Sequence, residues 1–266
     1  MLAWHLSWLR AAIPRWTRRI AGRATLADRA HEVPLTLLWK LRRAIIVYPE
    51  VVSGNPLGSK RVVRWFLNKP GRLTGEIAYG PDELYFYFQQ AFDDPALNPR
   101  PENVLFILTV MHDVYRQTNF GERKGTCFVL RKGRHRVSDP GLLDGVIVDG
   151  KGHAEIARIF NESESCVSYD PYTMYSMYAS MCGCKSVVVP EAGVAKEQWQ
   201  PVEELTWGIA YGEEEIPFAE RTRPRMLSFL RQAEAANLQS VARFAEKCER
   251  HFLHPPSRGE RVPRNP

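Results

Sequence analysis

The chain has 266 residues, 44% of them hydrophobic and 25% charged, which is typical of an ordinary globular protein with a core. Its five cysteines do not indicate a disulfide framework, and Cys182-Gly183-Cys184 lacks a second ligand pair at zinc spacing, so we expect buried thiols and no structural metal. The net charge of +6 suits phosphate-bearing ligands, nucleic acid or anionic lipid without choosing among them.

Residues 1–43 form a basic, amphipathic segment. Nine Lys and Arg residues stand there against two acids, and one helical face carries Leu2, Leu6, Leu9, Ile13, Trp16 and Ile20. A helix lying in a membrane interface fits this pattern. A helix packed on the body of the protein, with a solvated basic face, fits it equally well. No apolar run is long enough to span a bilayer and no secretion signal is apparent, so we expect a cytoplasmic protein that at most touches the membrane.

Residues 44–100 read as a small first domain. A buried strand over 44–48 leads to a loop over 51–57, as Gly54 and Asn55-Pro56 require. We predict a helix next, with Val62, Val63, Phe66 and Leu67 as its apolar face, then a short strand over 77–79 and an element over 83–92 that is either strand or helix. The Pro-, Asp- and Asn-rich stretch 93–102 is the predicted boundary.

Residues 101–216 alternate apolar strands with helices, which predicts a parallel sheet with right-handed crossovers. The predicted strands are 104–110, 126–130, 146–148, 166–168 and 187–189. A long amphipathic helix is predicted from Arg223 to about Phe252 within the C-terminal part 217–254, and a flexible basic tail over 255–266.

The stretch 168–190 reads as a loop, a helix and a buried strand. Asp170 is predicted to cap the helix and Pro171 to take its first position, while Gly183 ends it. Tyr178 falls among the apolar residues at helical spacing. A polar loop leading into a helix N-terminus beside a parallel strand is a ready anion site.

Charged residues follow the strands of this second part, where ligands collect in open α/β sheets. Arg131-Lys132 follows one strand, Asp149-Gly150 another and Tyr169 to Thr173 a third. Two cations facing a helix N-terminus and the Thr173 hydroxyl predict a diphosphate site, to which Lys124 could add.

Several phosphate and nucleophile motifs are absent from the sequence. It has no Gly-x-Gly-x-x-Gly after a strand, no Walker A pattern, no Gly-x-Ser-x-Gly elbow and no Asp-x-Asp pair at a strand end. We therefore expect no cofactor and no metal, with phosphate neutralised by side-chain cations and helix amides.

Three multi-residue runs resemble a group of bacterial glycosyltransferases of surface-polysaccharide and lipopolysaccharide assembly. The first includes Tyr48-Pro49-Glu50, Gly54 to Leu57 and Val62 to Gly71. The second is Gly125 to Phe128 with Arg131-Lys132-Gly133, and the third is Tyr169 to Thr173 with Cys182 to Cys184 and Val187 to Pro190. The run Gly208 to Gly212 also fits, and the resemblance covers roughly residues 45–211 in consistent order.

This resemblance implies a GT-B-like α/β architecture of two Rossmann-like domains, with the nucleotide-sugar held mainly by the second and transfer in the cleft between them, usually without a metal. Here the acceptor-side domain would be 44–100 and the donor domain 101–216. Because only 43 residues precede its first strand, the acceptor-side domain is either reduced or continued by upstream sequence. In the wider superfamily two acids eight apart flank the donor helix. Their positions here are Asp170 and Tyr178, so the second acid is absent.

The resemblance and the residues together give a set of expected roles. Arg131, Lys132, Thr173 and Lys124 would bind the donor phosphates, and Tyr169, Tyr172 and Tyr178 the nucleotide or sugar. Asp170 would accept from a donor-sugar hydroxyl or the nucleotide. Glu50 would be the base on the acceptor hydroxyl, with Asp113 and His112 behind it, although a capping carboxylate explains Glu50 as well.

Asn55 and Arg64 are the expected acceptor contacts, with the neighbouring Trp65 assigned to the core. The expected partners are a nucleotide-sugar donor and a glycan or lipid-linked acceptor, with membrane contact through 1–43. A catalytically impaired nucleotide- or sugar-binding relic is the first alternative. A nucleic-acid-binding protein is the second, but it needs a basic face in the folded part, whereas the clearest positive excess lies in 1–43; we therefore expect no nucleic acid.

Overall fold

A computed structural model of the chain describes residues 44–254 as an α/β protein with two sheets built from parallel strands, consistent with Rossmann-like folds. The described residues divide into two compact units, 44–86 with 248–254, and 87–247. The amphipathic segment predicted over 1–43 and the flexible tail predicted over 255–266 lie outside the described residues. The domain ranges inferred from the sequence stay a prediction.

The first sheet has the strand order β1-β2-β3, with β1 at Ile45–Pro49, β2 at Arg61–Phe66 and β3 at Leu84–Tyr87. Strands β1 and β2 are parallel, with Ile45 opposite Arg61. The helix predicted around Val62 to Leu67 is wrong, because this segment is β2. Its β-branched and aromatic residues favour a pleated strand, and β1 supplies the backbone partners. The strand predicted over 77–79 is also not formed.

The second sheet contains five strands in the order β5-β4-β6-β7-β8, all parallel. Their bounds are Thr126–Val129 for β4, Val146–Ile147 for β5, Ser165–Ser168 for β6, Lys185–Val188 for β7 and Ala210–Tyr211 for β8. The parallel sheet predicted for this part of the chain is therefore confirmed, and four of its predicted strands are present.

The fifth predicted strand, over 104–110, is not formed beyond a single bridge between Tyr87 and Val104. The Asn237 side chain instead accepts from the Leu108 amide at 2.9 Å and donates to the Leu108 carbonyl oxygen at 2.5 Å. The Glu234 carboxylate accepts from the Val110 amide at 3.2 Å. Side chains, rather than a neighbouring strand, thus satisfy this stretch of backbone.

Five α-helices are described: α1 at His153–Glu162, α2 at Met174–Met181, α3 at Lys196–Trp199, α4 at Ile216–Ala235 and α5 at Asn237–Phe252. The single long helix predicted from Arg223 is instead α4 and α5, separated at Ala236. Short 3₁₀ helices lie at Gln90–Phe92, Arg131–Arg136, Pro140–Leu142, Glu203–Leu205 and Glu213–Glu215.

The main core of the second unit lies where α1, α2 and α4 cover the sheet. It includes Val129, Val148, Ile156, Phe160, Ala179, Met226 and Leu230, all almost fully buried. The five cysteines are also buried and free, as expected. This packing holds the strands in place, and the connecting loops begin at the carboxyl ends of the strands.

Candidate site at the carboxyl edge of the second sheet

The strand order places a topological switch between β4 and β6. The chain leaves β4 toward β5 on one side, and then continues from β6 through β7 to β8 on the other side. In open α/β sheets, two connections that leave in opposite directions mark the place where a ligand-binding crevice is expected, outside the carboxyl ends of the neighbouring strands. The predicted cations follow β4 and the predicted loop Tyr169 to Thr173 follows β6, so the sequence had assigned both sides of this crevice.

The connection after β4 begins with a 3₁₀ helix, Arg131–Arg136, that is held by an acid from the next loop. The Asp149 carboxylate accepts from the Leu130 amide at 3.0 Å and from the Arg131 amide at 2.5 Å. Arg131 has a φ of 39°, an uncommon left-handed conformation for a residue with a side chain. Its guanidinium lies 5.0 Å from the centre of the Tyr175 ring. Asp149 therefore fixes the backbone from which Arg131 projects.

Lys132 reaches the loop that follows β6. Its Nζ donates to the Tyr172 carbonyl oxygen at 3.3 Å and lies 3.9 Å from Asp170 Oδ1. Asp170 is only 1% exposed. Its Oδ1 accepts from the Tyr172 amide at 3.1 Å, whereas its Oδ2 has no hydrogen-bond partner among residues 44–254. A buried carboxylate oxygen left unpaired is costly, and a ligand donor would relieve that cost.

Gly133 allows the two connections to touch. A Cβ atom at this position would overlap the Tyr169 carbonyl oxygen and lie 2.8 Å from the Asp170 amide nitrogen. At the other end of the same 3₁₀ helix, Arg136 donates to the Tyr169, Val189 and Pro190 carbonyl oxygens at 2.6 to 3.1 Å. The backbone after β6 and β7 is thereby tied to the connection after β4.

The predicted cap of α2 is wrong by three residues. Thr173, rather than Asp170, is the N-cap, and its hydroxyl accepts from the Tyr175 amide at 3.3 Å. Asp170 closes a tight turn instead, through the Tyr172 amide. The Thr173 hydroxyl retains its own proton to donate, so the predicted phosphate contact is compatible with the capping role.

Tyr169 and Tyr172 both lie in the loop after β6. The Tyr172 hydroxyl donates to the Trp199 carbonyl oxygen at 3.1 Å, and its ring packs edge-on against Phe92. The Tyr169 ring lies 6.0 Å from the Arg136 guanidinium. Both rings are partly buried, and their contact with a nucleotide or sugar stays a prediction.

Two predicted site residues lie elsewhere. Tyr178 is 6% exposed, and its ring stacks on Tyr115 at 4.0 Å with the planes 4° apart, in the core under α2. Burial is the main cause that raises its pKa, so the phenol stays neutral. Lys124 precedes β4, at the amino end of the sheet, and pairs with Glu122 at 3.3 Å. Neither side chain is directed to the carboxyl-edge crevice.

Three residues of this region were not singled out from the sequence. His153 begins α1 after the Asp149-Gly150 turn, and the Tyr115 hydroxyl lies 2.7 Å from its Nδ1. The centre of the Tyr175 ring lies 6.4 Å from the centre of the His153 ring, and the same Tyr175 ring faces the Arg131 guanidinium. The position of His153 at the start of a helix that follows a strand end was the available signal.

In the first unit, Glu50 and Asn55 hold local structure. Glu50 is 6% exposed, its Oε2 accepts from the Leu67 amide at 2.9 Å, and Tyr79 donates to its carbonyl oxygen at 2.7 Å. The Asn55 side chain bridges the amide and carbonyl groups of Ser59 at 3.1 and 2.6 Å. For Glu50 this is the capping role that the sequence left open.

Arg64 is fully buried, contrary to the prediction that it contacts an acceptor and that Trp65 lies in the core. Its guanidinium makes two hydrogen bonds of 2.9 Å to Glu83 and others to the Val52 and Gly54 carbonyl oxygens at 2.5 and 2.9 Å. Trp65 is only partly buried. Since adjacent strand residues point to opposite faces, β2 turns Arg64 inward and Trp65 away from it.

Of the two residues proposed behind Glu50, Asp113 is exposed and His112 lies beside α4. His112 Nε2 lies 3.2 Å from the Glu234 carboxylate. Within residues 44–254, no group of three or more His, Cys, Asp or Glu side chains is arranged to hold a metal ion, and no helix has the length and apolarity to cross a bilayer. Comparison with protein-family models and with curated proteins finds no match for this chain.

Proposed function

We propose that this chain is a GT-B-like glycosyltransferase that moves a sugar from a nucleotide-sugar to a glycan or lipid-linked acceptor. The observation that carries the proposal is the pairing of Lys132 with Asp170 across the switch between β4 and β6. This pairing joins a cationic connection to a buried carboxylate, one oxygen of which has no hydrogen-bond partner in the described part of the chain, 44–254. A ligand that carries both phosphates and hydroxyl groups would satisfy both sides.

The chemistry assigns the cations to the leaving diphosphate. In glycosyl transfer, negative charge builds on that group as the bond to the sugar lengthens. Arg131 and Lys132, with the Thr173 hydroxyl and the first amides of α2, would stabilise this charge, and each removed donor of this kind costs about 2.7–4 kcal/mol of transition-state stabilisation. Asp170 Oδ2 would accept from a donor hydroxyl once Lys132 turns toward the phosphates.

The expected setting follows from the same proposal. Cations and helix amides neutralise the phosphates, so the proposed reaction needs no metal or other cofactor. A lipid-linked acceptor would bring the chain to the cytoplasmic membrane surface, with segment 1–43 as the proposed contact.

A second candidate function is nucleotide or sugar binding without transfer. The burial of Tyr178 against Tyr115 favours it, because the position at which the resemblance implies a ribose-binding acid carries a core side chain. The hydrogen bonding of Glu50 to the Leu67 amide points the same way, since it occupies the carboxylate that was assigned as base.

Thermal shift and calorimetric titration with UDP, GDP, CMP and dTDP test the proposal. We expect one nucleotide to raise the melting temperature, and Arg131→Ala/Lys132→Ala to weaken its binding by about 100-fold or more, because hydrogen bonds to charged groups contribute about 1.5–3 kcal/mol each. Lys124→Ala, which removes one positive charge at the opposite edge of the sheet, is the control and should bind as the wild type does.

No shift with any of the four nucleotides would refute both the glycosyltransferase and the nucleotide-binding form of the alternative. Binding that survives the double substitution would refute the phosphate assignment. Binding of a nucleotide-sugar without hydrolysis or transfer to membrane-extracted glycan acceptors would favour the non-catalytic alternative.

A further inference from the structure

His153, Arg131 and Tyr175 come together from three successive connections at the carboxyl edge of the second sheet. Arg131 follows β4, His153 follows β5 and Tyr175 belongs to the helix that follows β6. The Tyr175 ring has the Arg131 guanidinium 5.0 Å from its centre and the His153 ring centre at 6.4 Å. Since β5, β4 and β6 are adjacent strands, these side chains share one edge.

A buried tyrosine orients the histidine. Tyr115 is fully buried, and its hydroxyl lies 2.7 Å from His153 Nδ1. Burial, with smaller contributions from Tyr175, Tyr178 and Cys182, raises the pKa of Tyr115, so the phenol keeps its proton. With the Tyr115 hydroxyl as the donor and Nδ1 as the acceptor, the ring proton lies on Nε2.

The contact with Tyr115 also fixes where Nε2 points. His153 is exposed, and the two ring nitrogens lie on different sides of the imidazole. Holding Nδ1 against buried Tyr115 therefore directs Nε2 away from the core. Ring orientation set by a hydrogen bond at the other nitrogen is a common feature of functional histidines.

We infer that His153 is a ligand contact of this site, donating from Nε2 to a phosphoryl oxygen of the group that Arg131 neutralises, with Tyr115 as the positioning residue. The inference rests on the proposed function for the identity of the anion, and it adds a third connection to the phosphate site. Arg131 supplies charge, Tyr175 supports the guanidinium, and His153 supplies a hydrogen-bond donor with a fixed direction.

The test uses the full-length protein with inorganic pyrophosphate and with whichever nucleoside diphosphate binds best. We expect His153→Ala to weaken the binding of both ligands by the same factor, about tenfold, since one hydrogen bond to a charged group is lost. His153→Gln, whose amide can place a donor near the position of Nε2, should recover most of that loss. Arg158→Ala is the control, because Arg158 lies on the same helix, is exposed and pairs with Glu162.

A spectroscopic measurement separates positioning from packing. In ¹⁵N-histidine spectra of the free protein, His153 should be the Nε2–H tautomer, and Tyr115→Phe should lose this preference while pyrophosphate binding weakens about threefold to tenfold. A structural role alone would leave pyrophosphate affinity unchanged in His153→Ala, which would overturn the inference. An Nδ1–H tautomer in the wild type would also overturn it.

The outcomes for the two proposals are distinct. Wild-type binding of a nucleoside diphosphate with no change in His153→Ala refutes this inference alone. Pyrophosphate binding that depends on His153, without binding of any nucleotide, refutes the proposed function but not the phosphoryl contact. A wild-type protein that binds neither ligand refutes both.

Discussion

Replacement of Gly133 by alanine should destabilise the second unit and disturb its candidate site together. Gly133 is the point at which the connection after β4 touches the backbone after β6. An added Cβ atom would lie far inside the 3.0 Å limit of real Cβ contacts with the Tyr169 carbonyl group, and 2.8 Å from the Asp170 amide. Both neighbours are backbone atoms, so no side chain can rotate to make room.

The expected magnitude follows from the cost of overpacking. Inserting one methyl group into a well-packed region costs about 1–3 kcal/mol, and backbone neighbours place Gly133→Ala at the upper end of that range. A loss of about 3 kcal/mol lowers the melting temperature by about 6–12 °C in a protein of this size. The forced separation also moves Lys132 away from Asp170, so nucleotide affinity should fall with stability.

Urea unfolding followed by circular dichroism measures the first effect and titration of the folded variant measures the second. Gly121→Ala is the matched control, because a Cβ atom there makes only an ordinary contact, 3.5 Å from the Asn119 side chain. It should be neutral or stabilising by up to about 1 kcal/mol. If the free energies of unfolding of Gly133→Ala and Gly121→Ala agree within about 0.5 kcal/mol, the close approach of the two connections is refuted.

Two further predictions concern the first unit. Arg64→Leu should lower the free energy of unfolding by about 3–5 kcal/mol, since it leaves the buried Glu83 carboxylate without its ion-pair partner. Arg64→Lys should lower it by less. A decrease below about 1 kcal/mol for Arg64→Leu in urea titrations would contradict the structural role. Burial raises the pKa of Tyr79 to about 12, whereas the unfolded chain ionises it near 10. The folded form therefore binds more protons in this window, and the contribution of Tyr79 to stability is full below about pH 10 and is lost as the pH rises through 12. Unfolding free energies measured from pH 8 to 12 should fall more steeply for the wild type than for Tyr79→Phe, and parallel curves would contradict the assignment.

The sheet of the second unit was predictable because its strands are short apolar runs flanked by helices. β4, β6 and β7 required no information beyond local composition. The segment 104–110 has the same composition but pairs with side chains of Asn237 and Glu234, which lie more than 120 residues away in sequence. A local pattern cannot predict which distant groups satisfy a backbone.

In the first unit, a helix was predicted where the chain forms a strand. The run Arg61–Phe66 places apolar residues at spacings that suit a helix, yet two β-branched residues and a parallel partner make it a strand. Arg64 shows why a charged residue is a weak guide to function. Its burial depends on Glu83 and on two carbonyl groups of a loop, and neither partner can be identified from the neighbouring sequence.

The candidate site was partly predictable because parallel strands bring their carboxyl ends to one edge. This rule assigned Arg131, Lys132 and Asp170 to one region without knowledge of the strand order. It could not assign the direction of individual side chains. Helical spacing placed Tyr178 on the apolar face of α2, and the structure agrees, whereas the family resemblance had placed it at the nucleotide. The pairing of Tyr115 with His153 joins residues 38 positions apart and left no signal in the sequence.

The hydrogen bonds of Arg136 affect how much freedom the site loses when a ligand arrives. A single guanidinium holds the backbone at Tyr169, Val189 and Pro190, beyond the last paired residues of two strands. Where a loop becomes ordered only on binding, that ordering opposes association. Here the main-chain part of the ordering is completed during folding. A ligand of the kind proposed would need to fix only side chains at this edge, so more of its contact energy would appear as affinity.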